Sequence, residues 1–318
     1  MKSIYMDIVK YNMLLTSELI KVMKVLEEND INAIAFKGPT LAQLAYGDVT
    51  LRQYVDLDVL VEKNNLEKAY DLFLTRSYSS EIDKKFIKNN LFIEKNSDIQ
   101  FIENKKNILF ELHWKLFRNK FSNTQNNINI YTEIQSININ NSSINVFKNE
   151  LLIVYLCMHG SKHKWERIEW IVDIDKLLRK VEDINWKLVV EISKKYNCNK
   201  MLNLGILLSH KLFNTPINSN FIEKQKNKYY KETIEYVLSE MSNITVYKSE
   251  FNKNYTSFKF HFNLNENLYD KSHFLKKTLL ELSNNDVNSF YLNDKFSFLY
   301  YLIKPFRLSI KYLKKLNK

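Results

Sequence analysis

Residues 36–61 read FKGPTLAQLAYGDVTLRQYVDLDVLV, and this stretch decides the fold of the chain. It opens on Lys37-Gly38 directly after an apolar run, which predicts a buried strand that ends at a glycine turn. It closes with a second predicted strand that carries Asp56 and Asp58 among apolar residues. Side chains two residues apart on a strand point to the same side, with their Cα atoms roughly 7 Å apart. The two carboxylates therefore repel each other and lose hydration, which favours a bound cation as their partner.

The residues after the Lys37-Gly38 turn predict a helix that begins at Pro39 and ends near Tyr46. Free backbone N–H groups converge where a strand, a glycine turn and a helix N-terminus meet, so this geometry favours an anion. Thr40 adds a hydroxyl donor. The spacing of a Walker A loop is absent. Alone, the turn is typical of an ordinary strand-to-helix connection; together with the Asp-x-Asp strand it indicates a phosphate site.

Three further strand-like runs, residues 86–94, 99–104 and 108–114, predict an antiparallel meander because short polar turns separate them. In the last run, Glu111 and His113 share one face. If this strand neighbours the Asp-x-Asp strand, it adds a third carboxylate at the same point. Two-metal phosphoryl chemistry requires this layout, with two Mg²⁺ ions about 3.5–4 Å apart held by hard oxygen ligands.

The length and composition of the chain limit the classes of protein to which it can belong. With 318 residues and 45% apolar content, the chain is long enough for two domains. The net charge of +11 suits a nucleotide, a nucleic acid or a membrane surface, although a diffuse lysine excess fits simple solvation equally well. Cys157 and Cys198 form no metal pattern, which favours a reduced, cytoplasmic chain. We expect no signal peptide and no transmembrane segment, since no apolar run approaches about 20 residues.

Several short motifs in the first half of the chain resemble one family. They are Lys37-Gly38, Tyr46-Gly47, Leu51-Arg52, Asp56-Leu-Asp58, Glu111-Leu-His113-Trp114 and the block from Cys157 to Asp175. As a set they resemble the uncharacterised nucleotidyltransferase family of the polymerase-beta-like superfamily, over about residues 30–180. The resemblance implies an α+β fold, in which a small mixed sheet with helices forms a polymerase-beta-like palm and an all-helical C-terminal domain follows it. The superfamily's usual Gly-Ser turn is Lys37-Gly38 here.

An Asn- and Ser-rich segment, residues 118–149, predicts an irregular connector with one hairpin. We place the domain boundary there. Residues 1–145 would form the N-terminal helix and the catalytic domain, and residues 146–318 a helical domain that completes the cleft.

The motifs and the resemblance together predict transfer of a nucleoside monophosphate from an NTP, ATP in the first instance, to an acceptor hydroxyl, with release of pyrophosphate. Two Mg²⁺ ions would bind the acids, and the triphosphate would lie on the glycine turn. The expected catalytic and metal-binding residues are Asp56, Asp58 and Glu111. The expected nucleotide-binding residues are Lys37, Gly38, Thr40, Arg52 and Lys162. Arg52 fits equally well as the structural partner of a neighbouring acid.

A helix predicted over residues 149–164 places His159, Lys162 and His163 on one face. The lysine is suited to hold phosphate across a cleft. The two histidines have a spacing that could bind a metal, but without a third ligand they are more typical of a structural or substrate-binding role. Trp165 fits the core or the border of a base pocket. The candidates for the acceptor side of the cleft are His113, His159, His163 and Trp165.

The remainder of the chain is helical in pattern, and it carries no catalytic constellation. Asp173 and Asp175 face different directions on a helix, which favours structural salt bridges. The basic tail, residues 304–318, could contact a nucleic-acid backbone or an anionic membrane surface, or form a packed helix with a solvated basic face.

The acceptor stays open at this point. A small molecule or a peptide natural product is the first expectation, and a toxin-like transfer to tRNA or protein is the second. The basic charge mildly favours RNA, but no aromatic-basic strip for stacking single strands stands out. The alternative to an enzyme is a non-catalytic module that has this fold and binds a nucleotide.

Overall fold

A computed structural model describes residues 2–116, 130–224, 226–242, 250–280, 282, 287 and 291–304. The strands in these residues are β1 (Ala33–Ala35), β2 (Asp56–Val61), β3 (Tyr78–Ser79), β4 (Asp98–Glu103), β5 (Ile108–His113), β6 (Ile134–Ile139) and β7 (Ser142–Phe147). The helices are α1 (Lys2–Glu27), α2 (Gly38–Tyr46), α3 (Leu66–Leu74), α4 (Lys84–Ile87), α5 (Asn90–Lys95), α6 (Asn149–Lys162), α7 (Glu169–Lys180), α8 (Trp186–Lys195), α9 (Asn199–Phe213), α10 (Ser219–Lys224), α11 (Lys228–Met241), α12 (Glu250–Leu264) and α13 (Leu268–Leu280).

The main sheet is small and mixed. Its strand order is β1-β2-β5-β4-β3, with β2 and β5 parallel and the other neighbours antiparallel. β6 and β7 form the separate hairpin that the sequence predicts. Helices dominate the chain from α6 onward. The α+β class, with a small mixed sheet followed by a helical region, is confirmed.

The alternation of side chains along β2 and β5 gives the sheet two different faces. Leu57, Val59, Phe110 and Leu112 pack into a buried core on the face that α1 and α3 cover. Leu60 points the other way, into a second core that the helices α6 to α9 fill. The carboxylates of β2 and β5 lie on this second face, so the sheet presents them toward the helical part of the chain.

The meander prediction is wrong in its first strand. Residues 86–94 fall in α4 and α5 instead, and the short strand β3 pairs with β4 at the sheet edge. The reason is local, because two capping side chains start these helices. Asp83 accepts a hydrogen bond from the Lys85 amide, and Asn89 accepts one from the Phe92 amide.

Two predicted segments lie partly outside the described residues. Residues 118–129 of the Asn-rich connector are not among them, nor is the basic tail beyond residue 304. The helix α12, in the part of the chain whose pattern is helical, is described. Both cysteines are free thiols in buried positions. Across the described ranges, no helix has the length and apolar content that crossing a bilayer demands.

A buried carboxylate ties α1 to the far edge of the sheet. Glu18 is fully buried, and it accepts hydrogen bonds from Lys106 at 2.8 Å, from Lys21 at 3.2 Å and from the Tyr78 hydroxyl. Burial opposes ionisation, but the donors outweigh it, and they hold the pKa of Glu18 below its ordinary value of 4.5. The ionised carboxylate therefore stabilises the fold above about pH 4.5, and this contribution is lost as the pH falls through the lowered pKa.

We expect Glu18→Gln to lower the free energy of unfolding by about 2 kcal/mol at pH 7, because three donors lose an anionic acceptor. The difference from wild type should shrink as the pH falls below about 4. Urea unfolding at pH 7 and pH 3.5 measures both values. Glu27→Gln, on an exposed position of the same helix, is the control, with an expected change under about 0.5 kcal/mol. A pH-independent loss at Glu18 would contradict the charge-based account.

Candidate active site

The two acid-bearing strands lie side by side. β2 and β5 pair in parallel, with Asp58 directly opposite Glu111. Asp56 and His113 lie two residues away on the same face. The structure thus brings the three predicted acids together, as expected if the two strands were neighbours. Their catalytic and metal-binding roles remain predictions.

Asp58 is the most buried of the three acids, with 1% of its surface exposed. Its Oδ1 atom lies 3.0 Å from Lys37 Nζ and 3.0 Å from His113 Nε2. Although burial favours the neutral acid, the nearby ammonium and the imidazole outweigh it and lower the pKa of Asp58. The Oδ2 atom is buried and accepts no hydrogen bond from the described residues.

The pKa of Asp56 is shifted in the opposite direction to that of Asp58. Burial first, and repulsion by Asp58 second, raise the pKa of Asp56 to about 6. This carboxylate is partly exposed and lines the cleft, as Glu111 does. Because the negative charge of Asp56 is unfavourable beside Asp58, a bound cation that removes this repulsion is favoured.

His113 joins the acid cluster. Its Nε2 atom is 3.0 Å from Asp58 Oδ1 and 3.4 Å from Glu111 Oε2. Burial lowers the pKa of His113, but the hydrogen bonds with both carboxylates outweigh it and raise the pKa to about 9. The prediction that His113 borders the acceptor side stays untested, and its contacts are with the acids.

The acid cluster fits a metal ion in its donors. One ligand atom each from Asp58, Glu111 and His113 lie within 4.8 Å of one another. The unpartnered Oδ2 of Asp58 is a buried oxygen for which a cation would compensate. Asp56 supplies a further oxygen at the cleft surface. The carboxylates suit Mg²⁺, and the imidazole nitrogen suits Mn²⁺ or another transition ion better.

The glycine turn lies beneath these acids. Gly38 has a φ of +52°, and a Cβ atom built on it would lie 3.1 Å from the Asp56 carbonyl oxygen, so the turn needs glycine for both reasons. Gly38 and Lys37 line the cleft. Thr40 does not, because its buried hydroxyl donates to the Lys37 carbonyl at 2.8 Å. The predicted triphosphate role of Thr40 therefore has no side-chain geometry to support it.

Arg52 makes a bidentate ion pair with a buried acid of α7. Its Nε and Nη2 atoms donate to the two carboxylate oxygens of Asp173 at 2.8 and 2.9 Å, and the Tyr46 hydroxyl donates to the same group at 2.9 Å. The structural alternative for Arg52 fits this geometry. Asp175 likewise pairs with Arg179 at 2.7 Å, so both aspartates of α7 make the predicted salt bridges.

A cleft of about 470 Å³ separates the sheet from the helices. Its helical wall carries aromatic and basic side chains from α6, α7 and the loop between them. They are Tyr155, His159, Lys162, His163, Arg167 and Trp170. Burial first and neighbouring cations second hold the pKa of His159 well below its usual range, so this ring is neutral. Its centroid lies 4.8 Å from that of His163 and 5.2 Å from that of Trp170.

Trp165 belongs to the core and does not line this cleft. It is fully buried, and its ring packs where Gly160 and Gly205 have no side chain. Any Cβ atom at Gly160 would lie 2.2 Å from the indole ring. Of the two alternatives for Trp165, the structure favours the core.

Sequence reasoning missed Tyr155 and Gln100. Tyr155 hydrogen-bonds Lys37, and Gln100 donates to Glu111 Oε1 at 2.9 Å. The signal for Tyr155 was available, because Tyr155 and His159 of α6 and His163, which caps this helix, recur at four-residue spacing. Gln100 had no such signal, since its role depends on the antiparallel pairing of β4 with β5.

These features define a class: an α+β protein whose small mixed sheet presents carboxylates to a cleft with a helical wall of aromatic and charged side chains. The chain belongs to the family described as uncharacterised nucleotidyltransferase, whose model matches residues 1–214. The match spans the sheet, the acid cluster and the helices through α9. No curated protein matches the chain. Among solved structures, an antigenic nucleotidyltransferase-like protein from Paracoccidioides brasiliensis is similar at 12% identity, with a TM-score of 0.40, over 70% of this chain and 92% of that chain.

Proposed function

We propose that this protein is a cytoplasmic, Mg²⁺-dependent nucleotidyltransferase that transfers a nucleoside monophosphate from an NTP, ATP first, to an acceptor hydroxyl. The observation that carries the proposal is the convergence of Asp56, Asp58 and Glu111 at one side of a cleft whose lining also includes Lys37 and Lys162. Family membership supports the reaction class. The alternative of a non-catalytic binding module would need a missing acid, and all three are present.

The acids have a clear use in this reaction. Asp56, Asp58 and Glu111 would hold the metal, with His113 beside them. Bound Mg²⁺ supplies charge neutralisation of the phosphates and a lowered pKa for an attacking hydroxyl. The protein's own contribution is to keep these carboxylates fixed on two paired strands, so that little reorganisation is needed during the reaction.

The remaining residues bind and orient the substrates. The acceptor hydroxyl oxygen attacks the α-phosphorus and its proton passes to solvent water, the bond from that phosphorus to its bridging oxygen breaks, and pyrophosphate leaves with the bonding electrons. Lys37, Gly38 and Lys162 line the cleft as ligands for the triphosphate. The neutral rings of His159 and Trp170 offer a stacking surface for a base or an aromatic acceptor. Catalysis then depends mainly on positioning and charge neutralisation.

A small-molecule or peptide acceptor is the first candidate, and the cleft of about 470 Å³, which the nucleotide shares, lies within the roughly 300–1,000 Å³ of small-ligand sites. The net charge of +11 is the observation that favours the second candidate, a tRNA or other RNA acceptor. The basic tail, which lies mostly outside the described residues, would serve either an RNA or an anionic surface.

Incubation of the purified protein with Mg²⁺ and each of the four α-labelled NTPs tests the proposal. We expect release of pyrophosphate and transfer of label with at least one NTP, lost in EDTA and restored by excess Mg²⁺. Small-molecule extract and total tRNA, supplied separately as acceptors, distinguish the two acceptor classes by where the label appears. No pyrophosphate release with any NTP and either acceptor pool, from protein that is folded by circular dichroism, would contradict the proposal.

A further inference from the structure

Asp58 is the acid that a cation entering from the cleft cannot reach directly. Asp56 and Glu111 are partly exposed and line the cleft, whereas Asp58 is 1% exposed. Its Oδ1 atom is covered by Lys37 Nζ and His113 Nε2, each at 3.0 Å. An ion that approaches Asp58 Oδ1 therefore meets the Lys37 ammonium first, and the two cations repel each other.

Lys37 is held in this position by more than one contact. Its side chain is 17% exposed, and its Nζ atom lies 5.6 Å from the Tyr155 ring centroid and 5.7 Å from that of Phe36. Aromatic faces attract a cation, and the ion pair with Asp58 is stronger here than on an exposed surface because little water screens it. In the absence of other ligands, Lys37 thus neutralises one carboxylate of the cluster.

The Lys37 ammonium also has a second possible partner, which is a triphosphate bound in the cleft. It precedes Gly38 at the start of α2 and lines the cleft. A lysine has a flexible four-carbon stem, so its ammonium can move by several ångströms while the backbone stays in place. A triphosphate offers several anionic oxygens that accept charge-assisted hydrogen bonds.

We propose that Lys37 is a tethered cation that keeps a divalent metal from the Oδ1 oxygen of Asp58 until a nucleotide arrives. The triphosphate draws the ammonium away, and the freed Oδ1 oxygen becomes a metal ligand. This inference rests on the proposed function and goes beyond it, since it makes metal binding conditional on the NTP. By linkage, the metal strengthens nucleotide binding by the same factor as the nucleotide strengthens metal binding.

Titration of the nucleotide-free protein with Mn²⁺, followed by electron paramagnetic resonance, tests the inference without any turnover. We expect Lys37→Met to bind Mn²⁺ at least about tenfold more tightly than wild type, because a cation in contact with the ligand oxygen is removed. Lys187→Met is the matched control, since it removes the same charge from an exposed position of α8 outside the cleft lining. We expect less than about threefold change for it, because solvent screens a charge that is not in contact with the site.

Two further arms separate the outcomes. Wild type is titrated with the Mn²⁺ complex of a non-hydrolysable ATP analogue, and Lys37→Gln, which keeps a hydrogen-bond donor for Asp58 without the charge, replaces Lys37→Met if that variant does not fold. Equal or weaker Mn²⁺ binding by the folded Lys37 variant, while wild type binds the Mn²⁺ complex, would overturn the inference alone. The metal would then use Oδ2 with Lys37 in place. Failure of wild type to bind the complex would overturn the proposed function, and the inference with it.

Discussion

Asparagine in place of Asp56 is expected to lower kcat/KM for nucleotidyl transfer by at least about 1,000-fold while the protein stays folded. A factor of this size corresponds to about 4 kcal/mol of transition-state stabilisation, which is in the range that a correctly held metal supplies. Asp56 carries this prediction better than Asp58, because Asp58 holds two cationic neighbours through Oδ1. Loss of Asp58 would therefore disturb the fold and the chemistry together.

The stability of the Asp56→Asn variant provides an internal check. Burial and the Asp58 charge raise the pKa of Asp56 to about 6, so above that pH the carboxyl is ionised and its charge destabilises the folded state. The variant should be as stable as wild type, or more stable, at pH 7.5. Pyrophosphate release and urea unfolding measure the two quantities. Asp183→Asn, at an exposed loop position, is the control and should match wild type in both. Activity within tenfold of wild type for Asp56→Asn would contradict a metal-binding role.

Asp173→Asn is expected to give the largest loss of stability, about 3–5 kcal/mol in the free energy of unfolding. The substitution keeps the volume of the side chain but removes the charge that neutralises Arg52, whose side chain is only 13% exposed. The Tyr46 hydroxyl loses an anionic acceptor as well. Because the pair joins the loop before β2 to α7, the cleft should lose its shape together with the stability. Urea unfolding, followed by circular dichroism, measures the loss.

A double variant separates an unpaired charge from lost packing. Arg52→Met combined with Asp173→Leu removes both charges, so it should be clearly more stable than Asp173→Asn alone. If Arg52 instead served mainly to bind the nucleotide, Asp173→Asn would change stability by less than about 1 kcal/mol. That outcome would favour the role of Arg52 as a triphosphate ligand.

Local patterns were sufficient to predict the acid face. The Asp-x-Asp spacing on β2 and the Glu-x-His spacing on β5 fix which side chains share a side, because strands alternate with a period of two. The glycine turn and α2 followed from Gly38 and Pro39 in the same way. Apolar content alone gave a wrong strand prediction for residues 86–94. The capping side chains of Asp83 and Asn89 start two helices there instead.

Contacts between distant parts of the chain were beyond sequence reasoning. Arg52 and Asp173 are 121 positions apart, and nothing local to either residue specifies the other. The pairing of Lys37 with Asp58 is similar, because a lysine after a strand reads equally well as a phosphate ligand. Tertiary packing selects among such partners. A single sequence therefore shows which charged residues are present but not which of them form ion pairs. The division of the chain at residues 145 and 146 also stays a prediction.

Asp56, Asp58 and Glu111 are proposed to hold a metal ion against a bound NTP. Anomalous diffraction from crystals grown with Mn²⁺ and a non-hydrolysable ATP analogue would locate that ion. We expect an anomalous peak at coordination distance, about 2–2.5 Å, from oxygens of these carboxylates and of the analogue's phosphates. An analogue bound in the cleft with its metal away from all three acids would contradict the proposal.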